Sequence, residues 1–210
     1  MPDDLRETFR EAVPGLDELA QRLQVAVNDT LKGITHIDRV SFRVKDEKSF
    51  LKKALKKDDN GQPKYTHPFQ EIEDLVAGRV IVFFRHDIEV VQDLLDRTFN
   101  IVEGQHKAPG RDAEFGYESI HRVYHIGPLF RPSIVKESLV PRTFEMQLRT
   151  ILMHAYAEPQ HDFQYKSSGD LPPEIRRELA WIAASSWGAD QAYGRVLAWA
   201  NQQAKNESQS

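Results

Sequence analysis

Two acidic residues stand at places where acids are costly. Asp74 directly precedes the apolar run "LVAGRVIVFF", and Glu145 lies inside "FEMQLRT". Read with the period of a strand, Glu145, Gln147 and Arg149 share one face while Met146 and Leu148 take the other. Arg79 follows Asp74 in the same run, and Arg43 and Lys45 sit two apart in "RVK", again on one face. An isolated buried carboxylate is unfavourable unless it is paired or bound to a metal. If these segments are neighbours in a sheet, Asp74 and Glu145 converge, with Arg43, Lys45, Arg79 and Arg149 around them. Two carboxylates so placed would hold Mg²⁺, a hard ion that keeps waters and completes its shell with phosphate oxygens. The flanking cations would neutralise the remaining phosphate charge, and a carboxylate beside the metal could take a proton from an attacking hydroxyl. The same residues could instead form a salt-bridge ladder on an exposed sheet, and spacing alone does not choose between the two.

The stretch "FGYESIHRVYHIG", residues 115–127, raises a related question. Tyr117, Ser119, His121 and Val123 fall on one strand face, with Ile120, Arg122 and Tyr124 near the other, so neither face is cleanly apolar. Further on, His154, Glu158 and His161 would share a helix face if the helix continues past Pro159. They read as polar groups bracing the neighbouring strand, with Glu158 and Lys166 a candidate pair, rather than as a zinc site.

The elements that must position these groups follow from periodicity. Leu16, Leu19, Leu23, Ala26 and Val27 repeat at helical spacing, which predicts a helix over about 15–32, separated by Pro14-Gly15 from a shorter one. "ITHIDRVSFRVK" alternates as a strand, "DEKSFLKKALKK" returns to helix, and "LVAGRVIVFF" reads as a strand buried on both faces. Asp87 is placed to cap the helix "IEVVQDLLDRTF". Strands follow at "NIVEGQHK", at the 115–127 stretch and at "RTFEMQLRT". "ILMHAYAE" is helical up to Pro159, where a kink or a fresh start is expected because the ring clashes inside a helix. One or two C-terminal helices carry Trp181, Trp187 and Trp199 as packing aromatics, and "NQQAKNESQS" reads as a loose tail. The result is an α+β domain with a mixed sheet of about five strands flanked by helices. The expected layout is N-terminal helices over 1–35, a central domain over 36–170, and C-terminal helices with a loose tail over 171–210.

Composition narrows the class. With 40% hydrophobic and 29% charged residues the chain is globular rather than disordered. It has neither a spanning apolar run nor a basic, apolar leader, so a cytoplasmic location without membrane contact is expected. The absence of cysteine excludes disulfides, thiolate metal sites and cysteine nucleophiles. The net charge of −4 offers no global attraction for nucleic acid, although residues 43–57 form a local basic run.

Four segments, in order, resemble the synthetase domain of the RelA/SpoT alarmone proteins, especially the small single-domain members. They are "RVKDEKSFLKK", "DLVAGRVIV", "GYESIH" and "FEMQLRTILMHAYAEPQHDFQYK", which fall between residues 43 and 166, and the resemblance runs from about residue 40 to 185. The resemblance implies a nucleotidyltransferase-like fold. It also implies a pyrophosphokinase that moves the β,γ-pyrophosphate of ATP to the ribose 3′-hydroxyl of GDP or GTP. Under it, Asp74 would bind Mg²⁺, and Glu145 would help hold the metal and activate the hydroxyl. Arg43, Lys45 and Lys53 would contact ATP with Ser49 in support, and Arg79 would clamp the donor nucleotide. Tyr117 would stack on the acceptor base, His121 and Gln147 would line the acceptor pocket, and Arg149 would steady the phosphates. Such chemistry is chiefly positioning and charge neutralisation, for which these residue types suffice. Small members often assemble as tetramers, so a homo-oligomer is expected. Guanosine-specific members usually carry a lysine where this chain has Ala113, beside Glu114. That departure resembles a branch acting on adenine nucleotides or on the 3′ end of tRNA, and it leaves the acceptor open. A catalytically silent nucleotide-binding regulator is a further reading of a different class.

Overall fold

The computed structural model describes residues 2–208 apart from 109–113, 117, 134–135 and 167–170, with the backbone alone for 2–3 and 160–166. Helix α1 spans Pro2–Thr30, β1 Ile37–Val44, α2 Glu47–Ala54, α3 Pro68–Glu71, β2 Val76–Val82 and α4 Arg85–Thr98. Strands β3 (Ile101–Lys107), β4 (Ser119–His125) and β5 (Thr143–Thr150) follow, then helices α5 (Ile151–Lys166) and α6 (Pro173–Glu207). The five strands form one sheet in the order β1-β2-β5-β4-β3. Only the β2–β5 pair is parallel, so the sheet is mixed, as expected.

The two faces of this sheet differ in chemistry. Phe144, Met146 and Leu148 of β5 join Val76, Val80 and Val82 of β2 in an apolar core, closed by Leu16, Leu19, Leu23 and Val27 of α1 and by Ile88, Val91 and Leu95 of α4. Strand alternation sends Glu145, Gln147 and Arg149 to the other face. β2 is apolar and buried along nearly its whole length, apart from the half-buried Arg79, as its composition suggests. At Gly78 a side chain has no room: a Cβ there would lie 2.6 Å from both the Phe42 ring and the Met146 methyl.

Two prolines behave differently from expectation. Pro14 lies within an unbroken α1, and Pro159 within an unbroken α5. A helix-interior proline costs about 3 kcal/mol. Phe9, Ala12, Leu16, Leu19, Leu23 and Val27 form one buried stripe across Pro14, and each large side chain in it contributes about 1.5–3 kcal/mol on burial. Interrupting the helix would break that stripe. In α5 the burial of Met153, Tyr156 and Ala157 holds the segment leading into Pro159. Asp87 does not cap α4: the cap is Phe84, without a side-chain bond, and Asp87 lies in the first turn. Residues 201–207, read as a loose tail, continue α6. The tryptophans of α6 stay largely open to solvent: Trp181, Trp187 and Trp199 are 68%, 46% and 65% exposed, and Phe115 meets the Trp187 ring edge-on at 5.8 Å. Only Ala183 and Asp190 of that helix are buried.

Gly78→Ala should be destabilised by about 1–3 kcal/mol through overpacking. Thermal unfolding should show a lower Tm for the variant, and an unchanged Tm would contradict the close packing of Phe42 and Met146 on this strand.

Candidate active site

The polar face assembles from all five strands. Register places Arg43 beside Ala77 and Ser41 beside Arg79 on β1 and β2. Ala77 pairs with Glu145 and Arg79 with Gln147 across the parallel ladder. On the other flank His121 pairs with Gln147, and Gln105 and Lys107 of β3 lie opposite His121 and Ser119. One face therefore carries Ser41 and Arg43, Arg79, Glu145, Gln147 and Arg149, Ser119 and His121, and Glu103, Gln105 and Lys107. Asp74 lies just ahead of β2, and therefore near the start of the neighbouring parallel strand where Glu145 sits.

Asp74 is gripped by two ammonium groups. Lys45 Nζ donates to Oδ2 at 2.6 Å and Lys53 Nζ to Oδ1 at 2.9 Å. Lys45 is positioned by the end of β1, where its N–H donates to the Leu75 carbonyl, and Lys53 by the last turn of α2. Burial pushes the Asp74 carboxyl up, but the two lysine hydrogen bonds and charges outweigh it and hold it below the usual carboxylate range. Lys53 is correspondingly raised: burial opposes its charge, and the bond and charge of Asp74 override that.

Glu145 is held from the other side. His121 Nδ1 lies 2.6 Å from Oε1, and Gln147 Nε2 donates to Oε2 at 3.0 Å. A proton on His121 Nδ1 satisfies the carboxylate, with the Lys107 ammonium 3.2 Å from the same ring nitrogen. Burial pushes Glu145 up, but His121, by hydrogen bond and charge, and then Gln147 bring it below its ordinary value; the charge of Asp74 acts in the opposite sense. That last influence places the two carboxylates within electrostatic reach of each other. Glu73 adds to the negative charge: burial, together with Glu103, Glu145 and Asp74, raises its carboxyl against the pull of Lys53.

Beside the carboxylates lies a cavity of about 180 Å³ bordered by Arg43, Arg79, Gln147 and Glu158. Arg79 donates to Glu158 at 2.7 Å, with His154 Nδ1 at 3.5 Å. Burial lowers His154; Glu158 opposes this, while Arg79 and Arg149 add to it, so the ring is neutral near pH 7. Arg149 is 1% exposed and lies enclosed on this same face, donating to Ser119 Oγ at 3.2 Å and Gln147 Oε1 at 2.9 Å.

The region found in RelA/SpoT proteins matches residues 42–170 of this chain, more than half its length. The chain belongs to the RelA/SpoT family. The Bacillus subtilis protein named GTP pyrophosphokinase YjbM is 32% identical over 162 residues, covering 76% of this chain and 72% of the relative. GTP pyrophosphokinase YwaC of the same organism is 27% identical over 154 residues, covering 71% and 68%. Among solved structures, small alarmone synthetase 1 from Bacillus subtilis superposes with a TM-score of 0.71 at 24% identity, over 92% of this chain and 97% of that one. A GTP pyrophosphokinase family protein from Streptococcus pneumoniae gives 0.67 at 24%, over 92% of each chain. Both share the α+β fold described above.

The RelA/SpoT reading of the sequence can now be placed residue by residue. Asp74, Glu145, Lys45, Lys53, Arg43, Arg79, His121 and Gln147 come together on or beside one face. Ser49 lies in the first turn of α2, where its backbone N–H donates to Asp46, the cap, at 2.9 Å. Tyr117 and Ala113 lie outside the described residues, as do the side chains of His161 and Lys166. Glu158, read as a partner for Lys166, pairs with Arg79. Lys107 and Ser119 had no role assigned from sequence; both enter the site only through the register of β3 and β4 with β5. The donor set fits Mg²⁺, since Asp74 and Glu145 offer ionised hard oxygens amid the negative charge of Glu73 and Glu103.

Because the Asp74 carboxyl is depressed, its pairing stabilises the fold above the unfolded value of about 3.9, and the gain is lost as pH falls through the lower folded value. Asp74→Asn should therefore have a lower Tm than the parent at pH 7, and the difference should shrink below about pH 4. A gap that stays constant down to acid pH would contradict the lysine pairing.

Proposed function

We propose that the chain is an ATP-dependent pyrophosphokinase that transfers the β,γ-pyrophosphate of ATP to the 3′-hydroxyl of GDP or GTP, yielding (p)ppGpp and AMP. The observation that carries this reading is Glu145 on a polar face edged by Arg43 and Arg79, with the lysine-held Asp74 just ahead of the adjacent strand and within electrostatic reach of it. The relatives named GTP pyrophosphokinase support the guanosine acceptor. Mg²⁺ held by Asp74 and Glu145 would supply charge neutralisation for the phosphates.

The chain's own residues do the rest. Arg43 and Arg79 line the cavity and meet the donor phosphates. Arg79 can exchange its partner at small cost, because Glu158 is 46% exposed and such pairs are worth about 0–1 kcal/mol. Lys45 and Lys53 hold Asp74 ionised and fix its rotamer. Glu145 accepts the proton of the 3′-hydroxyl late in the transfer, once the forming bond to phosphorus has made that hydroxyl acidic enough for a weakly basic carboxylate, while AMP departs from the other side. His121 and Gln147 orient Glu145, and Arg149 acts through Gln147 and Ser119. Tyr117 is the proposed platform for the acceptor base. The molecule works as a homo-oligomer in the cytoplasm, and among the described residues no helix is long and apolar enough to cross a membrane.

Purified protein with ATP, Mg²⁺ and GDP or GTP should release AMP and a pyrophosphorylated guanosine nucleotide, resolved by chromatography. Product with ADP, ATP or deacylated tRNA instead would move the acceptor and keep the chemistry. Nucleotide binding without turnover would indicate a silent regulator. Glu145→Gln should lower kcat by about 10²–10⁴-fold, the usual worth of a general base, with little change in the KM for ATP. Arg43→Ala should chiefly raise that KM.

A further inference from the structure

Away from the polar face, three metal-ligating side chains meet where the chain enters β1 and where α4 begins. His36 Nδ1 lies 3.6 Å from Asp87 Oδ2, and His86 Nε2 lies 3.0 Å from Asp87 Oδ1. One ligand atom from each of the three falls within 4.8 Å of the other two. We propose that His36, His86 and Asp87 form a binding site for a transition-metal dication of the zinc class, distinct from the carboxylate pair of the active site.

The donor set is the first argument. Two imidazoles and a carboxylate suit Zn²⁺ and its neighbours far better than Mg²⁺, which prefers oxygen ligands throughout. Bonds of about 2.0–2.1 Å in a tetrahedron place ligand atoms about 3.3 Å apart. The two observed separations, 3.0 and 3.6 Å, are to different oxygens of Asp87, and one ligand atom from each residue lies within 4.8 Å of the other two, so closure on one ion asks for side-chain shifts of about 1 Å.

Asp87 supplies a second, independent argument. It is 5% exposed, and its Oδ2 is buried with no hydrogen-bond partner among the described residues. A first-turn acid is explained by the positive end of a helix. A buried, unpartnered carboxylate oxygen facing an imidazole is not, because an unsatisfied buried acceptor is costly. A dication between the imidazoles would relieve that cost.

The backbone also presets the geometry. His36 has φ of +67°, a left-handed conformation uncommon outside glycine, although histidine, like asparagine and aspartate, adopts it more often than most residues. Its carbonyl accepts from the Phe83 N–H at 2.8 Å, tying the entry to β1 to the chain just after β2. Phe84 packs edge-on to the His36 ring at 5.0 Å and stacks with the His86 ring at 6.0 Å. The His36 and His86 side chains keep 37% and 53% exposure, so an ion has access and a fourth position faces solvent. That pattern, three protein ligands with one open position, admits a water or a further ligand.

The test uses Co²⁺ as a spectroscopic probe and Zn²⁺ by calorimetry on the full chain, in the absence of nucleotide. The parent protein should bind one equivalent of Zn²⁺, give the intense visible bands of tetrahedral Co²⁺, and melt at higher temperature with Zn²⁺ present. His86→Ala and His36→Gly should each weaken binding on the order of tenfold or more and remove the Co²⁺ bands. Glycine retains the left-handed backbone at position 36, and both rings are partly exposed, so the variants should fold; far-UV circular dichroism checks this. Glu145→Gln should bind the parent's one equivalent with unchanged bands. Undiminished binding in both histidine variants, no saturable binding in the parent, or loss of the bands in Glu145→Gln would each overturn the proposal.

Discussion

Parallel pairing of β2 with β5 in a single register is the constraint on which the polar face depends. Ala77 opposite Glu145 brings the residue just ahead of β2 close to the one carboxylate inside β5. A slip of one residue would turn Glu145, Gln147 and Arg149 into the apolar core and send Met146 and Leu148 outward. The core forbids that slip. Val76, Val80 and Val82 pack with Phe144, Met146 and Leu148, and Gly78 permits the close approach of Phe42 and Met146. The apolar side of the sheet thus decides the geometry of the polar side.

The polar side persists because its charges satisfy one another. Burial raises the free energy of every ion on it, yet Asp74 and Glu145 both titrate below their ordinary range. Each is held by two donors from separate elements: Lys45 and Lys53 on one, His121 and Gln147 on the other. Arg149, almost wholly enclosed on the same face, braces Ser119 and Gln147. Removing one member of such a network strands the others, so these residues stand or fall together. The network also holds both carboxylates ionised at neutral pH, the state that a hard cation and a proton-accepting oxygen require.

Much of the fold was legible in the sequence, because burial imposes periodicity. The alternation in "FEMQLRT" and the apolar run "LVAGRVIVFF" placed β5 and β2 within a residue or two of their observed ends. The carboxylates were legible for the complementary reason, that acids beside apolar strands need partners. Pro14, Pro159 and residues 201–207 were misread because local propensity was weighed without the tertiary packing that overrides it. Asp87 was misread as a cap because α4 begins two residues earlier, at Arg85, with Phe84 as its cap. Lys107 and Ser119 carried no local signal, since a strand does not disclose which strand will lie beside it.

Strand identity, face alternation, the acids at Asp74 and Glu145 and the ordered motifs of the RelA/SpoT family were determined by the sequence alone. All of these depend on residue types a few positions apart, and local sterics and hydrophobicity act over that range. Tertiary structure alone decided that Lys45 and Lys53 grip Asp74, that His121 grips Glu145, that Glu158 answers Arg79 and that Arg149 is enclosed on the polar face. Those contacts join residues 21–79 positions from one another or depend on which face is enclosed, and elsewhere Arg22 reaches 109 positions along the chain to donate to the Arg131 carbonyl. Such pairings exist only once the sheet has closed and its register is set.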